Sequence, residues 1–197
     1  MTTVTGLFAA GDASGASSHK FSSGSHAEGR IAGKAICKYA KENTDALNYD
    51  DAAIEAMKAE VIKPMVVFEE HKGKTTQTDI NPHYILPKMF MMRLQKMMDE
   101  YAGGVTAQFT TSEANLTKCL ELLSMLKEDA ANLGAEDLHS LMRCWENYHR
   151  MYQAESHVRT MLFREESRWP GYYFRSDKPK MDDANWKCFV NCTMDAN

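Results

Sequence analysis

No stretch of this sequence approaches the roughly 20 consecutive apolar residues that a membrane-crossing helix needs, and Met1 to Ala10 has neither the basic start nor the apolar run of a secretory signal. Cysteine is scarce. There are five, an odd number with no CxxC pair, which fits neither a disulfide scaffold nor a zinc or iron–sulfur cassette and points to a reducing cytoplasm. Basic residues are in deficit, with 23 Lys plus Arg against 27 Asp plus Glu and a net charge of -4. Nothing in that balance points to nucleic acid or an anionic membrane as the main partner. Internal repeats and low-complexity tracts are also missing. What is present is 197 residues, 44% hydrophobic and 25% charged, enough for one core or two small ones. The 14 Met are adaptable fillers suited to helical cores.

Val4 to Ala10 is short and apolar and runs into small residues from Gly11 to Ser18, which reads as a strand and then a loop. Ala27, Ile31, Ala35 and Tyr39 recur at spacing four and predict a helix over 25–41. Asp50 or Asp51 caps a second helix over 52–63, which Pro64 is expected to stop because it has no amide hydrogen. Residues 69–79 read as polar loop. Asn81, Pro82 and Pro87 introduce a Met-rich helix through Tyr101, closed by Gly103 and Gly104. Thr110 and Glu113 form a capping-box pattern before Leu116, Leu120, Leu123 and Leu126. Beyond Gly134, a longer helix carries Leu138, Leu141, Trp145, Tyr148 and Tyr152 as one apolar stripe. Three successive helices imply an antiparallel bundle. After Arg168 the pattern breaks at Trp169, Pro170 and Gly171, leaving an aromatic-rich coil with a strand at 186–190. One strand, one loop and one helix cannot make a sheet. Residues 1–45 therefore read as the last piece of a larger α/β domain, and the chain as a C-terminal fragment or one completed by other segments.

Several motifs carry candidate chemistry. Gly11 and Asp12 close the first apolar run, and Ser22, Ser23, Gly24, Ser25 and His26 open the helix after it. Amide hydrogens at a helix start suit an anionic or electron-rich ligand edge, while a purely structural glycine turn explains the same residues. Gly29 to Gly33-Lys34 falls one residue short of phosphate-loop spacing, and Ala35 stands where a hydroxyl would be needed. Glu146 and His149 make an ExxH, but a di-iron bundle needs a second copy and two further Glu, so no metal site is expected. Cys188 and Cys192 read as two semi-buried thiols. His19, His26 and His71 are either ligand contacts or plain exposed residues. The stretch from Arg164 to Arg175 packs three arginines and four aromatics, which either pin a loop through bidentate and stacking contacts or bind an anionic substrate.

The run from Gly6 to Asp12, followed by His19 and a small-residue helix start, resembles the last flavin-binding segment of the fumarate reductase and succinate dehydrogenase flavoprotein superfamily. Glu166-Ser167-Arg168, then Gly171, Arg175, Asp177, Pro179, Asp182-Asp183 and Trp186, resembles that superfamily's C-terminal signature in the same order. Within it, the string from Gly11 to Arg30 and the Trp169-Pro170 insertion are most similar to the alpha subunits of dissimilatory adenylylsulfate reductases. Where dicarboxylate enzymes carry an arginine soon after the motif histidine, this sequence has Lys20, Phe21, Ser22 and Ser23, which disfavours a C4 dicarboxylate substrate. The early GxGxxG fingerprint and the capping domain are missing from the sequence.

The resemblance implies a mainly α chain of the α+β class: the terminal strand-loop-helix of an FAD-binding domain (1–45), a helical bundle domain (46–163), and an aromatic-rich tail (164–197) packing on the flavin domain or a partner. It implies FAD as cofactor, with Gly11, Asp12, Ser22, Ser23, Gly24, Ser25 and His26 in its site and the catalytic residues unassigned. It also implies reduction of adenosine 5′-phosphosulfate to sulfite and AMP, or the reverse, in the cytoplasm, with electrons from an iron–sulfur beta subunit that holds the clusters. Two other expectations compete: a non-catalytic helical interaction module, and another flavoprotein of the fumarate reductase type.

Overall fold

The computed structural model describes residues 1–14, 21–45, 50–74, 83–168 and 171–193, in two compact units, Met1–Asp51 and Ala52–Asn197. Helices dominate both.

In the first unit α1 spans Ser22–Glu42, one turn longer at its start than the spacing predicts. Residues 4–10 form no strand, which corrects the sequence expectation. A strand must hand its amides and carbonyls to a neighbour, and none is present among the described residues; Val4 and Leu7 stay exposed. The segment instead lies along α1. Phe8 meets the Tyr39 ring edge-on at 5.9 Å, and a 3-10 turn at Gly11–Ser14 reaches back toward the helix start, where Gly11 packs on Ser25.

The second unit opens with α2, Asp51–His71, which runs through Pro64 instead of stopping there. Proline removes one ladder bond and crowds the preceding turn, at a cost of about 3 kcal/mol in an isolated helix. Here tertiary contacts offset it. Pro64 is buried, its carbonyl accepts from the Ala135 amide at 2.9 Å, and the Val61 carbonyl accepts from the Trp145 indole at 2.9 Å. Of the expected polar loop, residues 69–71 belong to this helix and 72–74 turn away from it, while 75–79 lie outside the described residues.

Three helices build the core: α3 (Pro87–Tyr101), α4 (Glu113–Ala130) and α5 (Leu138–Phe163), each packed on the other two. Along α4 the buried residues Leu116, Cys119, Leu123, Leu126 and Ala130 recur at helical spacing and meet Phe90 and Leu94 of α3. The cap of α4 is Ser112, whose Oγ accepts from the Asn115 amide at 3.3 Å. Thr110, the expected cap, lies in the short strand β1 (Thr110–Thr111). Along α5 the core face is Leu141, Cys144, Met151, Ala154, Val158 and Met161, whereas Leu138 is 74% exposed and Tyr152 52%. The stripe expected from the large rings is thus displaced around the helix. Trp145 and Tyr148 straddle its edge, because the indole must reach Val61 and the phenol the Ala130 carbonyl, 2.8 Å away.

The tail returns to this bundle. Strand β2 (Phe174–Arg175) pairs in parallel with β1, Thr110 opposite Phe174 and Thr111 opposite Arg175. A short helix α6 (Asp183–Trp186) follows, and the strand expected at 186–190 is not formed. No helix is long and apolar enough to cross a membrane, among the described residues.

Candidate functional site

The segment singled out at the N-terminus forms one local structure. Gly11 is buried at φ +67, a left-handed conformation that costs L side chains about 1 kcal/mol or more. A Cβ there would lie 3.2 Å from Ser25 Oγ. Its amide donates to Glu28 Oε2 at 2.6 Å, and the Ser14 hydroxyl donates to the same oxygen at 2.9 Å. Asp12 follows on the exposed side of the turn. Ser22, Ser23, Gly24, Ser25 and His26 make the first turn of α1; Ser22, Ser23 and His26 are exposed, Gly24 and Ser25 half-buried. That helix starts from Phe21 in an extended conformation whose own side chain makes no cap, and the amides of Ser22, Ser23 and Gly24 precede the first ladder bond, from the Ser25 amide to the Phe21 carbonyl at 3.0 Å. The turn and the helix start are thereby brought together, leaving an acid and these amides on one surface. Residues 15–20, including His19, lie outside the described residues.

Glu28 is a residue of this site that the sequence reading does not single out. Ser25 and Glu28 are three apart and share a helix face, the face on which Gly11 sits, but nothing local in the sequence ties that face to Gly11.

Of the two expectations for the arginine-rich tail, pinning is what the contacts show, but onto the chain's own bundle instead of a neighbouring domain. Glu166 is fully buried and all four of its acceptor positions are filled. Oε1 accepts from Arg164 Nη1 and Arg168 Nε, each at 2.6 Å, and Oε2 from Arg168 Nη2 and the Asp182 amide, each at 2.9 Å. Arg168 also reaches Asp183 at 2.8 Å. Arg164 donates to the Trp186 and Cys188 carbonyls at 2.8 and 2.7 Å, beside the Trp186 ring. Arg175, 1% exposed, forks onto Asp177 at 2.9 and 2.6 Å. Its Nη1 donates to the Met161, Leu162 and Arg164 carbonyls at 2.8, 3.4 and 3.2 Å. These carbonyls belong to the end of α5, where no helical amide is left to serve them. The three arginines pin the tail to its own bundle. A groove of about 660 Å³ runs beside Arg164, Arg168, Trp186, Lys187 and Phe189, but both guanidiniums on its wall are committed to Glu166, which leaves little for an anionic substrate. Trp169 and Pro170 lie outside the described residues.

These pairs make the tail acid-sensitive. Hydrogen bonds from Arg168 hold the Glu166 carboxyl down to about 2 from its ordinary 4.5, against the opposing effect of burial. Arg175 does the same for Asp177, down to about 2 from 3.8. A carboxyl lowered in the folded state stabilises it above the unfolded value and loses that contribution as pH falls toward the folded one. Stability of the second unit is therefore expected to fall as pH drops from 4.5 toward 2, with Glu166 a leading contributor. Thermal melts across that range check it; a flat melting temperature from pH 5 to 2.5 contradicts the assignment.

The remaining motifs carry no joint chemistry. Glu146 pairs with Arg143 at 2.7 Å and Arg150 at 3.5 Å, which keep it ionised, and no three metal-ligating side chains cluster among the described residues. Cys188 and Cys192 are exposed rather than semi-buried, since no strand folds them inward. His26 is exposed. His71 is half-buried with Nδ1 2.9 Å from the Val67 carbonyl, its ring stacked on His83 at 5.3 Å.

Residues 91–197 match the family described as fumarate reductase flavoprotein C-term. The adenylylsulfate reductase subunit alpha of Megalodesulfovibrio gigas is 49% identical over 195 residues, 99% of this chain and 29% of that protein. The structure of adenylylsulfate reductase from Archaeoglobus fulgidus superposes with a TM-score of 0.81 and 52% identity, over 86% of this chain and 26% of that one. A structure of adenosine-5-phosphosulfate reductase in complex with sulfite, as a covalent adduct, gives the same score, identity and coverage. The chain thus spans between a quarter and a third of these relatives. With the tail latch and the helices that carry it inside the matched region, the chain belongs to the fumarate reductase flavoprotein C-terminal family.

Proposed function

We propose that this chain serves as the flavin-edge segment and helical region of an adenylylsulfate reductase alpha subunit, acting on adenosine 5′-phosphosulfate, sulfite and AMP. The observation that carries this reading is identity of about one residue in two along nearly the whole chain, with a matching backbone. The first unit supports it independently. FAD needs donors for the electron-rich edge of its ring and an acceptor for its ribityl hydroxyls. The first turn of α1, from Ser22 through His26, offers the donors through the amides of Ser22, Ser23 and Gly24 and the side chains of Ser25 and His26, and Asp12 the acceptor. Gly11 lets the backbone approach closely, where a Cβ would crowd Ser25. Bound FAD supplies the electron-transfer chemistry, and the protein supplies placement and charge.

The cysteines bear on the partner. Cys119 and Cys144 are buried singly in the bundle, and burial raises them to about 11 and about 12, so they remain protonated thiols, poor ligands for iron. Iron–sulfur clusters belong on a separate beta subunit in this reading, and the compartment is the cytoplasm.

The test is expression of the complete alpha subunit with its visible spectrum and its sulfite-forming activity on adenosine 5′-phosphosulfate. A flavin spectrum with that activity is expected; a well-folded colourless protein refutes the reading and favours an interaction module. Within the flavoprotein, Asp12→Ala removes a charge-assisted bond of about 1.5–3 kcal/mol. FAD affinity is expected to drop roughly tenfold to a hundredfold, read by titrating the flavin-free protein, and unchanged affinity removes Asp12 from the site.

A further inference from the structure

Glu28 lies six residues into α1 and is not on the surface assigned above to the flavin, yet it touches the turn that carries Asp12. One carboxylate oxygen accepts from two donors of that turn, the Gly11 amide at 2.6 Å and the Ser14 hydroxyl at 2.9 Å, whose single hydrogen is shared with the Gly11 carbonyl at 2.8 Å. These partners bracket Asp12, one on each side in sequence, so the path of the backbone through Asp12 is defined at both ends. Bonds to an ionised acceptor are shorter and about twice as strong as neutral ones. Ser25, one helical turn before Glu28 on the same face, closes the other side of Gly11, with 3.2 Å left for any Cβ. The glycine is thus held between two side chains of α1, and the Asp12 acceptor and the amides at 22–24 become parts of one rigid piece.

We infer that Glu28 is a positioning residue for the flavin, fixing the spacing between Asp12 and the opening turn of α1. This rests on the flavin reading of the segment. Glu28 acts through the turn and need not touch the cofactor. An acceptor and a set of donors that must grip one rigid ligand gain from being locked at a set distance before binding, because freezing them during binding costs affinity.

The experiment uses the whole alpha subunit, stripped of flavin and titrated with FAD, with the melting temperature of the flavin-free protein recorded alongside. Glu28→Ala is expected to raise the dissociation constant for FAD at least tenfold, while the flavin-free protein melts within a few degrees of wild type. Glu28→Gln, whose amide oxygen can accept the same two bonds, is expected to stay within about threefold. Ser14→Ala, which deletes one bond of the two, is expected to fall between them and keeps the test open if Glu28→Ala does not fold. The inference is overturned if Glu28→Ala binds FAD within twofold of wild type, if Glu28→Gln is as weak as Glu28→Ala, or if the affinity loss merely follows a lower melting temperature of the flavin-free protein. Failure of the wild-type subunit to bind FAD is a different result, and it refutes the flavin reading itself.

Discussion

Replacing Glu166 by alanine is expected to lower the stability of the second unit by about 3–5 kcal/mol, the range found when one partner of a buried ion pair is removed. The loss is large because the carboxylate accepts four bonds from three residues at once. Without it Arg164 and Arg168, 17% and 23% exposed, keep their charge, Arg164 is left with two carbonyls and no carboxylate, Arg168 with Asp183 alone, and the Asp182 amide ahead of α6 loses its acceptor. Glu166→Gln retains the shape and two acceptor sites, so it should cost less, though its amide group would point donors at donors. Denaturant unfolding of wild type and both variants measures this; a Glu166→Ala loss under 1 kcal/mol would show that the tail is not latched by this residue.

Arg175 should be nearly as costly to change, and lysine should not rescue it. The guanidinium meets Asp177 with two parallel bonds from Nε and Nη2, while the two hydrogens of Nη1 are shared among three carbonyls at the end of α5, a task for a planar fork of donors. An ammonium carries the charge but only three donors at one point. Arg175→Ala is expected to lose about 3–5 kcal/mol, with Arg175→Lys recovering less than half, since carbonyls left unsatisfied in a buried site cost about 1–3 kcal/mol each. Equilibrium unfolding of the two variants decides it, and full recovery by lysine would mean that charge alone matters.

The helices were legible where periodicity and caps agreed. The α3 span from Pro87 to Tyr101 and the start of α5 at Leu138 follow from proline, glycine and apolar spacing in the sequence, whereas α5 ends at Phe163, five residues before the break read after Arg168. Pro64 shows what such reading misses: a local rule for stopping a helix was overridden by Ala135 and Trp145, residues 71 and 81 positions away. The expected strands at 4–10 and 186–190 failed for the opposite reason, since apolar residues form a strand only where a neighbour supplies the ladder. Thr110 has a cap's spacing to Glu113, whereas its place in the fold depends on Phe174, across the tail. In the candidate site, Gly11, Asp12 and the 22–26 turn were visible as small residues beside an acid. Glu28 was not, because its partners are 14 and 17 positions away and no local pattern announces them. Glu166 and Arg175 were recognisable as a signature, but only the folded tail shows that they recognise each other's neighbourhood rather than a ligand.

The N-terminal segment is fastened to α1 at two places, Gly11 at Ser25 and Glu28 near the helix start, and Phe8 at Tyr39 toward its end. Fourteen residues separate Ser25 from Tyr39, about 21 Å of helix. Each residue added or removed between them would swing one fastening about 100° around the axis relative to the other. Single-residue insertions and deletions in this helix are therefore barred in a way that substitutions are not, and lineages that vary the segment must do so by exchanging side chains at constant length.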